Sequence, residues 1–506
     1  MIEVGERLAV ADIIAVARER APVVLSPRAR ARIRASRALV DRLVRDGRTV
    51  YGITTGVGEL AGVSISGDQT AQLQVNIVRS HSAGVGEPLP DEIVRAMMLL
   101  RAHALALGYS GVREEPIALL LDMLNHAVHP LIPAQGSVGA SGDLAPLAHL
   151  ALAMIGEGEV GRDGRRFPAA VALDEAGLRP VVLAAKEGVA LINGTQLMTA
   201  CGALAVFDAR ALAACADIAG AMTCEALHGH ADAFDELLQN VRPHPGQQAS
   251  AANLRRLLEG SEVLTSHDAR AKVQDAYALR CMPQVHGATR DAVEYVARVL
   301  EIEMNAATDN PLVFADAERV ISGGNFHGQP IALALDVLAI ALSELASISE
   351  RRIERLVNPH LSGLPAFLTA DGGLHSGFML AQYTAAALVS ENKVLSHPAS
   401  VDSIPTSANQ EDHVSMGAIS ARKALRVLRH AQQVVGIELL CAAQALDFHR
   451  PLRPARGTQR AYDMIRTAVP ALAGDRVLAP DFAAALDLVQ SRAVVHAVEQ
   501  TLGALA

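Results

Sequence analysis

Three consecutive small residues, Ala140-Ser141-Gly142, could supply chemistry that no ordinary side chain provides. If the main chain is bent tightly, the amide nitrogen of Gly142 can attack the carbonyl carbon of Ala140, and glycine favours this attack because no side chain blocks the approach. Loss of water, including the Ser141 hydroxyl, would leave an exocyclic methylidene on a five-membered imidazolone. That group is an electrophile. From the tripeptide alone, an ordinary surface turn is the simpler interpretation.

Ser141 could instead be a hydrolase nucleophile, because the segment from Gly139 to Asp143 is similar to the G-x-S-x-G elbow. The elbow requires glycine where Asp143 stands, and a serine hydrolase would also need a histidine and a carboxylate presented to Ser141. Acyl-directed phosphonates would label such a serine, whereas cyanide or borohydride would trap a methylidene.

Two other motifs are weak. The segment from Gly156 to Gly161 fits G-x-G-x-x-G, but it follows a helical pattern and has glutamates where a pyrophosphate would sit. His228, His230 and Asp232 could begin a metal site, but their spacing matches no known zinc motif. We therefore predict neither a nucleotide nor a metal.

The elements that must position these residues are predicted to be mainly helices. Half of the 506 residues are hydrophobic and aromatics are only 3%, so alanine and leucine, which favour helices, dominate the core. Two stripes at helical spacing predict helices with one buried seam: Ile331, Leu335, Leu338, Leu342 and Leu345, then Leu425, Leu428, Val435 and Leu439. Glycine- and proline-rich segments predict loops before residue 200. We therefore predict a mainly α fold, with a loop-rich N-terminal domain at 1–200 and a bundle of long helices at 201–506.

Composition excludes several classes of protein. A net charge of −9 without a basic stripe disfavours nucleic-acid binding. Charges interrupt the longest apolar stretches, which disfavours a membrane span, and the N-terminus has no signal-peptide layout. Five scattered cysteines without a C-x-x-C pair indicate a reducing compartment: Cys201, Cys215, Cys224, Cys281 and Cys441. We therefore predict a cytoplasmic protein.

The residues around Ser141 carry a resemblance that decides between these interpretations. GSVGASGDLAPLAH, at 136–149, resembles the cofactor-forming segment of the aromatic amino acid ammonia-lyases, which use 4-methylidene-imidazol-5-one. Further blocks agree in order and spacing over nearly the whole chain: YGITTGVG at 51–58, NGT at 193–195, QDAYALR at 274–280, GGNF at 323–326 and TSANQEDHVS at 406–415. The resemblance implies an L-aspartase/fumarase-like helical architecture, a cofactor formed from Ala140, Ser141 and Gly142, no metal, and a homotetramer with shared active sites.

The resemblance also implies how the reaction proceeds. The substrate amine adds to the methylidene, and a base then removes the β-proton. Tyr51 corresponds to that base. A free tyrosine has a pKa near 10, so only about 0.1% is ionised at neutral pH. The site must therefore stabilise the phenolate, or the enzyme must work best at alkaline pH.

Several other positions match functional residues of the family. Arg280 corresponds to the residue that binds the substrate carboxylate, for which a forked guanidinium is suited. Tyr277 corresponds to a second catalytic tyrosine. Gln274 and Asn193 match polar residues that line the site, and Phe326 matches an aromatic residue beside the cofactor.

Substrate preference is implied by two markers. Ser80 and His81 stand where the phenylalanine branch has Phe-Leu and the tyrosine branch has His-Leu, and Ser-His is typical of the histidine branch. An imidazole at His81 can bond a substrate ring nitrogen, whereas a phenyl ring offers it no partner. A buried polar group left unpaired costs about 1–3 kcal/mol, which would disfavour a substrate with a phenyl ring. Glu411, which the other two branches lack, can bond the reacting amine or imidazole and carry a proton. The implied reaction is loss of ammonia from L-histidine to give trans-urocanate, the first step of histidine degradation.

Alternatives remain within and beyond this family. Thr54 and Val57 stand where the histidine branch more usually has asparagine and phenylalanine, and Thr54 is reminiscent of the other branches. A tyrosine or phenylalanine ammonia-lyase, or an aminomutase that re-adds ammonia at the β-carbon, therefore stays open. A catalytically inactive helical assembly protein is a further alternative, against which the intact Ser141 and Tyr51 speak.

Overall fold

The computed structural model describes residues 1–55, 69–162, 164–266 and 273–506. Val57 therefore lies outside the described residues. Two compact units divide the chain: Met1–Phe207, Ala297–Asp336 and Pro398–Arg422 form the first, and Asp208–Val296, Val337–His397 and Lys423–Ala506 form the second. The first unit thus recruits two segments from the C-terminal half, and the boundary at residue 200 stays a prediction.

Helices dominate both units. The α-helices within the first unit are α1 (Val10–Ala17), α2 (Pro27–Arg45), α3 (Thr70–His81), α4 (Asp91–Ala106), α5 (Glu114–Asn125), α6 (Ala145–Met154), α7 (Ala169–Glu175) and α8 (Glu187–Ile192). Four long helices contribute residues to both units: α9 (Gln196–Ala226), α14 (Met282–Glu303), α15 (Gln329–Val357) and α18 (Gly417–Asp447). The α-helices within the second unit are α10 (Glu236–Asn240), α11 (Pro245–Leu258), α12 (Glu262–Thr265), α13 (Tyr277–Arg280), α16 (Pro359–Ser362), α17 (Met379–Leu395), α19 (Arg456–Ala468), α20 (Ala479–Gln490) and α21 (Ala493–Leu502).

Short strands and 3-10 turns complete the described elements. The strands, all in the first unit, are β1 (Ile2–Val4), β2 (Val23–Leu25), β3 (Val85–Pro88), β4 (His129–Pro130), β5 (Pro133–Gln135), β6 (Glu159–Arg162), β7 (Arg165–Pro168), β8 (Leu312–Phe314) and β9 (Arg319–Ile321). β1 pairs with β2 in parallel, while β3–β5, β4–β6–β7 and β8–β9 are antiparallel. The 3-10 turns are Ala231–Phe234, Ala366–Leu368 and Ser407–Asn409. The predicted mainly α fold is confirmed.

The predicted seam of α15 is buried. Ile331, Leu335, Leu338, Leu342 and Leu345 are all fully inaccessible to solvent. Apolar residues three and four positions apart lie on one face of a helix, so this face packs into the core and fixes the rotation of α15 about its axis.

Two helices are apolar enough to cross a membrane by length and composition, which the sequence analysis did not expect. They are α9 and α15, with mean hydropathies of 1.5 and 2.1 over an 18-residue window that contains no more than two charged residues. Within those windows 83% and 61% of the residues are buried inside the protein. Burial of this extent is typical of core helices, whose partners are other helices rather than lipid.

Candidate active site

The loops that carry five of the predicted site residues lie at helix ends. Ser141 precedes α6, Asn193 follows α8, Phe326 precedes α15, and Glu411 lies in the connection between α17 and α18. Tyr51 is in a turn after α2. These five residues, all in the first unit, line one cavity of about 590 Å³. A volume of this size suits a small-molecule ligand. The full lining is Tyr51, Ala140, Ser141, Asn193, Asn310, Ser322, Gly323, Phe326, His327, Gln410, Glu411, Asp412 and His413.

The chain is bent at residues 139–141, and Gly142 continues the bend with φ of +74°. The carbonyl oxygen of Gly194 accepts a hydrogen bond of 2.7 Å from the backbone N–H of Asp143. A β-carbon on Gly142 would lie 2.0 Å from that oxygen. Only glycine therefore fits at position 142, both for its left-handed φ and for this close approach.

A segment near the end of the first unit supports the same bend. The Ser415 hydroxyl donates to the Gly139 carbonyl at 3.0 Å, and the Met416 N–H donates to the Val138 carbonyl at 2.8 Å. The loop is therefore held on both sides, which limits how far its backbone can relax.

Glu411 joins this loop to the cavity. The Ser141 hydroxyl donates to Glu411 Oε1 at 3.3 Å, and the Thr406 hydroxyl donates to Glu411 Oε2 at 2.7 Å. The partner of Ser141 is therefore a carboxylate, whereas a serine hydrolase pairs its nucleophile with a histidine base.

Asn193, one of the lining residues, has a buried acceptor without a donor among the described residues. Its side-chain N–H donates to the Asn310 carbonyl at 3.2 Å, and the residue is 5% exposed. Its Oδ1 has no hydrogen-bond partner among the described residues. A buried amide oxygen left without a donor is unfavourable, so a donor that reached this oxygen would be stabilised there.

Two imidazoles that sequence reasoning did not select also line the cavity. The rings of His327 and His413 are stacked, with centroids 5.9 Å apart and planes 7° from parallel. His327 Nε2 lies 3.2 Å from the His413 carbonyl, and His327 Nδ1 accepts from the Gln329 N–H at 3.3 Å. A carbonyl only accepts and a backbone N–H only donates, so these contacts fit the tautomer with hydrogen on Nε2. His327 directly follows the GGNF block, but its residue type and spacing alone did not select it.

Buried charges lie beneath the bent loop. Burial raises the pKa of Asp143 to about 8, although N–H groups of α9 and the Arg101 guanidinium oppose the shift. Burial also lowers the pKa of Arg101 to about 10, against the attraction of Asp309 and Asp143. Lys186 and Asp309 form an ion pair of 2.7 Å with both side chains almost fully buried. The guanidinium of Arg101 therefore stays charged at neutral pH, while the carboxyl of Asp143 is largely protonated.

Asp143→Asn is expected to change how stability depends on pH. The free-energy contribution of a raised carboxyl pKa is fully present below about pH 4, where an unfolded aspartate is protonated, and is lost as the pH rises to about 8. The amide does not titrate, so the melting temperature of the unsubstituted protein should fall relative to that of Asp143→Asn by roughly 2–5 °C between about pH 5 and pH 8. Calorimetry across this range measures the difference. Asp174→Asn, at an exposed carboxylate of α7, is the control, and an equal slope in both variants would contradict the assignment.

Four predicted site residues lie elsewhere. His81, at the end of α3 in the first unit, bonds the Ile77 carbonyl through Nδ1 at 2.8 Å and is not among the lining residues. Gln274, Tyr277 and Arg280 belong to the second unit. Tyr277 is 70% exposed, and the Arg280 guanidinium lies 4.6 Å from the centre of its ring.

The segment with Tyr277 and Arg280 is anchored inside the second unit. Asp275 Oδ2 accepts a hydrogen bond from the His230 backbone N–H at 2.5 Å. The His228–His230 segment therefore contributes a main-chain contact to this anchor. The buried Arg352 bonds Glu438 at 2.5 Å and reaches the Ala278 carbonyl at 3.5 Å.

The dinucleotide-like motif from the sequence has another structural role. The Gly156–Gly161 segment connects α6 to β6, so it runs from helix to strand, opposite to the order in a dinucleotide fold. A larger cavity of about 700 Å³ lies in the second unit beside Arg450, Arg453 and Tyr462. It contains none of the predicted site residues.

The fold and the cavity define the class of protein. A profile of the aromatic amino acid lyases matches residues 8–467, and the chain belongs to this family of carbon–nitrogen lyases. A histidine ammonia-lyase from Symbiobacterium thermophilum is 59% identical over 504 residues, which cover 100% of this chain and 99% of that protein.

Solved structures agree along the whole chain. The crystal structure of histidine ammonia-lyase from Trypanosoma cruzi matches with a TM-score of 0.93 and 48% identity, covering 99% of this chain and 95% of that one. Tyrosine aminomutase from Streptomyces globisporus matches with a TM-score of 0.94 and 40% identity, covering 99% of both chains. The resemblance that the sequence blocks carried is thus confirmed.

Proposed function

We propose that this protein is a histidine ammonia-lyase, which removes ammonia from L-histidine to give trans-urocanate as the first step of histidine degradation. The observation that carries the proposal is the contact between Ser141 and Glu411 in a cavity that Tyr51 also lines. It supports the proposal because the residues assigned as electrophile precursor, base and polar partner for an imidazole line one cavity. The full-length relative named histidine ammonia-lyase supports the same substrate.

The proposed cofactor is 4-methylidene-imidazol-5-one, formed from Ala140, Ser141 and Gly142 without a metal. A bond forms between the Gly142 nitrogen and the Ala140 carbonyl carbon, and the carbonyl oxygen leaves as water with the amide hydrogens of Ser141 and Gly142. A second water takes the Ser141 hydroxyl and α-hydrogen. The residues present fit this group, because the bend at Gly142 is already enforced and Asn193 Oδ1 has no donor among the described residues.

Four of the lining residues have a task in the proposed reaction beside the cofactor. When formed, the cofactor supplies an electrophile that makes the amino group a better leaving group. Tyr51 removes the β-proton of the substrate. Glu411 accepts a hydrogen bond from the amine or the imidazole and carries a proton. Asn193 bonds the cofactor-forming segment, and Phe326 covers it with an apolar ring.

We propose a cytoplasmic homotetramer whose active sites are shared between subunits. One face of α15 exposes three apolar side chains at spacings of four and three: Leu333, Val337 and Ile340. Exposed apolar surface of this kind is typical of a contact with another protein chain. A shared site would let Gln274, Tyr277 and Arg280 of one subunit meet the cavity of another, with Arg280 binding the substrate carboxylate. His81 would contact the substrate ring.

An aminomutase is the second candidate, because the chain shares 40% identity with a tyrosine aminomutase over the full length of both proteins. An aminomutase uses the same elimination and then returns ammonia to the β-carbon. The two activities differ in whether ammonia leaves the site.

Parallel ultraviolet assays at mildly alkaline pH with L-histidine, L-phenylalanine and L-tyrosine test the proposal, since each elimination yields a conjugated acrylate. We expect absorbance to rise with histidine and to exceed the other two rates by at least about tenfold to hundredfold. Free ammonia should match urocanate one to one. A rise with tyrosine or phenylalanine alone would mean that Thr54 and Val57 mark the substrate better than Ser80, His81 and Glu411. A β-amino acid product would indicate the aminomutase.

A further inference from the structure

Arg101 lies directly behind the turn on which the bent loop rests. It belongs to α4, in which every residue from Ile93 to Ala106 is buried, and its own side chain is fully inaccessible to solvent. One guanidinium nitrogen, Nη1, donates to the Asn193 carbonyl at 2.8 Å and to Gln196 Oε1 at 3.0 Å. The other, Nη2, lies 3.4 Å from the Thr308 carbonyl. A forked cation thus bonds the turn between α8 and α9 and a second segment at once.

The Asn193-Gly194 turn is packed closely between Arg101 and the loop that contains Gly142. A β-carbon on Gly194 would lie 2.6 Å from Arg101 Nη1 and 2.8 Å from the Thr308 carbonyl oxygen. On the other side, the Gly194 carbonyl accepts from the Asp143 N–H, and a β-carbon on Gly142 would strike the same oxygen. Arg101, Gly194 and Gly142 therefore pack against one another in that order, and the space between them leaves no room for a side chain at position 194 or 142.

A second ring of contacts fixes the same turn. The Gln196 side-chain N–H donates to the Thr308 hydroxyl at 2.7 Å, and the Leu197 N–H donates to Asp143 Oδ2 at 2.6 Å. Gln196 thereby links Arg101 to Thr308. The guanidinium holds the turn by donating hydrogen bonds to two oxygens, the Asn193 carbonyl oxygen and Gln196 Oε1, which can only accept.

We propose that Arg101 is a positioning residue for cofactor formation. Its hydrogen bonds hold the Asn193-Gly194 turn in place against Gly142, and this keeps the Gly142 nitrogen close to the Ala140 carbonyl carbon. This inference rests on the proposed cofactor. Cyclisation needs the two atoms held closer than an unrestrained loop would leave them, and a fixed backing lowers the entropic cost of that approach. Arg101 takes no part in the bond changes, because the Asn193-Gly194 turn lies between its guanidinium and Gly142.

Arg101→Lys and Arg101→Met test the role of the fork. Lysine keeps a charge but presents a point donor, whereas methionine removes every donor. Arg95→Met is the matched control. Arg95 is also buried in α4, but it bonds the Val16 and Leu124 carbonyls instead.

The measurement is the intact mass of purified full-length protein, followed over time after a short induction, with circular dichroism to confirm folding. The unsubstituted protein and Arg95→Met should lose the mass of two water molecules. We expect Arg101→Met to do so about ten- to hundredfold more slowly, with Arg101→Lys in between. If Arg101→Met does not fold, the proposal is tested by comparing the rate of water loss in Arg101→Lys with that in Arg95→Met.

The outcomes separate the two proposals. An unmodified mass in the unsubstituted protein would contradict the proposed cofactor itself. Folded Arg101 variants that lose two waters as fast as the unsubstituted protein would overturn the role of Arg101 and leave the cofactor standing. Equal slowing in Arg95→Met would also overturn it, because the effect would then follow from any buried arginine of α4.

Discussion

Ser141→Ala should leave a folded protein whose activity towards L-histidine is lower by at least about three orders of magnitude. Alanine has no hydroxyl to eliminate, so no exocyclic methylidene can form and the substrate amine meets no electrophile. The Ser141 hydroxyl makes one hydrogen bond of 3.3 Å, to Glu411, and its removal should cost little stability. The urocanate assay measures the loss of activity, and intact mass should show the loss of no more than one water, because alanine has no hydroxyl from which the second could form.

Another serine of the first unit provides the matched control for this substitution. Ser82 lies beyond α3, and its hydroxyl donates to the Val78 carbonyl at 2.8 Å. Ser82→Ala should therefore keep both the activity and the loss of two waters. If Ser141→Ala retained activity within about tenfold of the unsubstituted protein, the electrophile would have to arise from another residue.

Tyr51→Phe should lower kcat by about two to four orders of magnitude while the Michaelis constant changes much less. The phenyl ring preserves the shape of the half-buried side chain, but it has no oxygen to accept the β-proton. Initial rates with L-histidine measure the effect. Cofactor formation does not use this oxygen, so the intact mass should still show the loss of two waters, and this separates a missing base from a missing electrophile.

Tyr109→Phe is the control for Tyr51→Phe. Tyr109 belongs to the same unit, but its ring packs against Phe314 with centroids 5.6 Å apart. Its hydroxyl should therefore be dispensable for turnover. A similar loss of kcat in both variants would mean that the defect comes from packing, and an active Tyr51→Phe protein would require a different base.

The sequence predicted the residue types of the site better than their arrangement. Tyr51, Ser141, Asn193, Phe326 and Glu411 could be selected because glycine-rich or polar blocks surround them, and they do line one cavity. The tight bend was also foreseeable, since Gly142 had to approach the main chain closely. The roles of these residues remain proposals.

Other members of the site could not be selected from sequence alone. Asn310 and His327 line the cavity because particular helix ends converge there, and periodicity predicts burial without naming the partner. Arg101 stands in the apolar stretch MMLLRAHALA. Nothing in that pattern distinguishes a buried arginine with carbonyl partners from one that extends its charge to solvent.

The same limitation applies to the two units. A 3.6-residue pattern correctly predicted the buried face of α15, but it could not show that this helix contributes to both units. The hydropathy of α9 and α15 was also underestimated, because an 18-residue window can include charges such as Asp208 or Asp336 and still be strongly apolar on average.

The discontinuous first unit imposes an order on the life of the newly made chain. Ser141 leaves the ribosome early, whereas Glu411 and Met416, which hold its loop, are synthesised more than half a chain later. Protein units fold cooperatively once their parts are available, so the bend cannot be locked while the ribosome is still translating the middle of the message. The reactive group would then arise only in a nearly finished molecule, after its apolar helices have found their partners, and an incomplete polypeptide would carry no exposed electrophile into the cell.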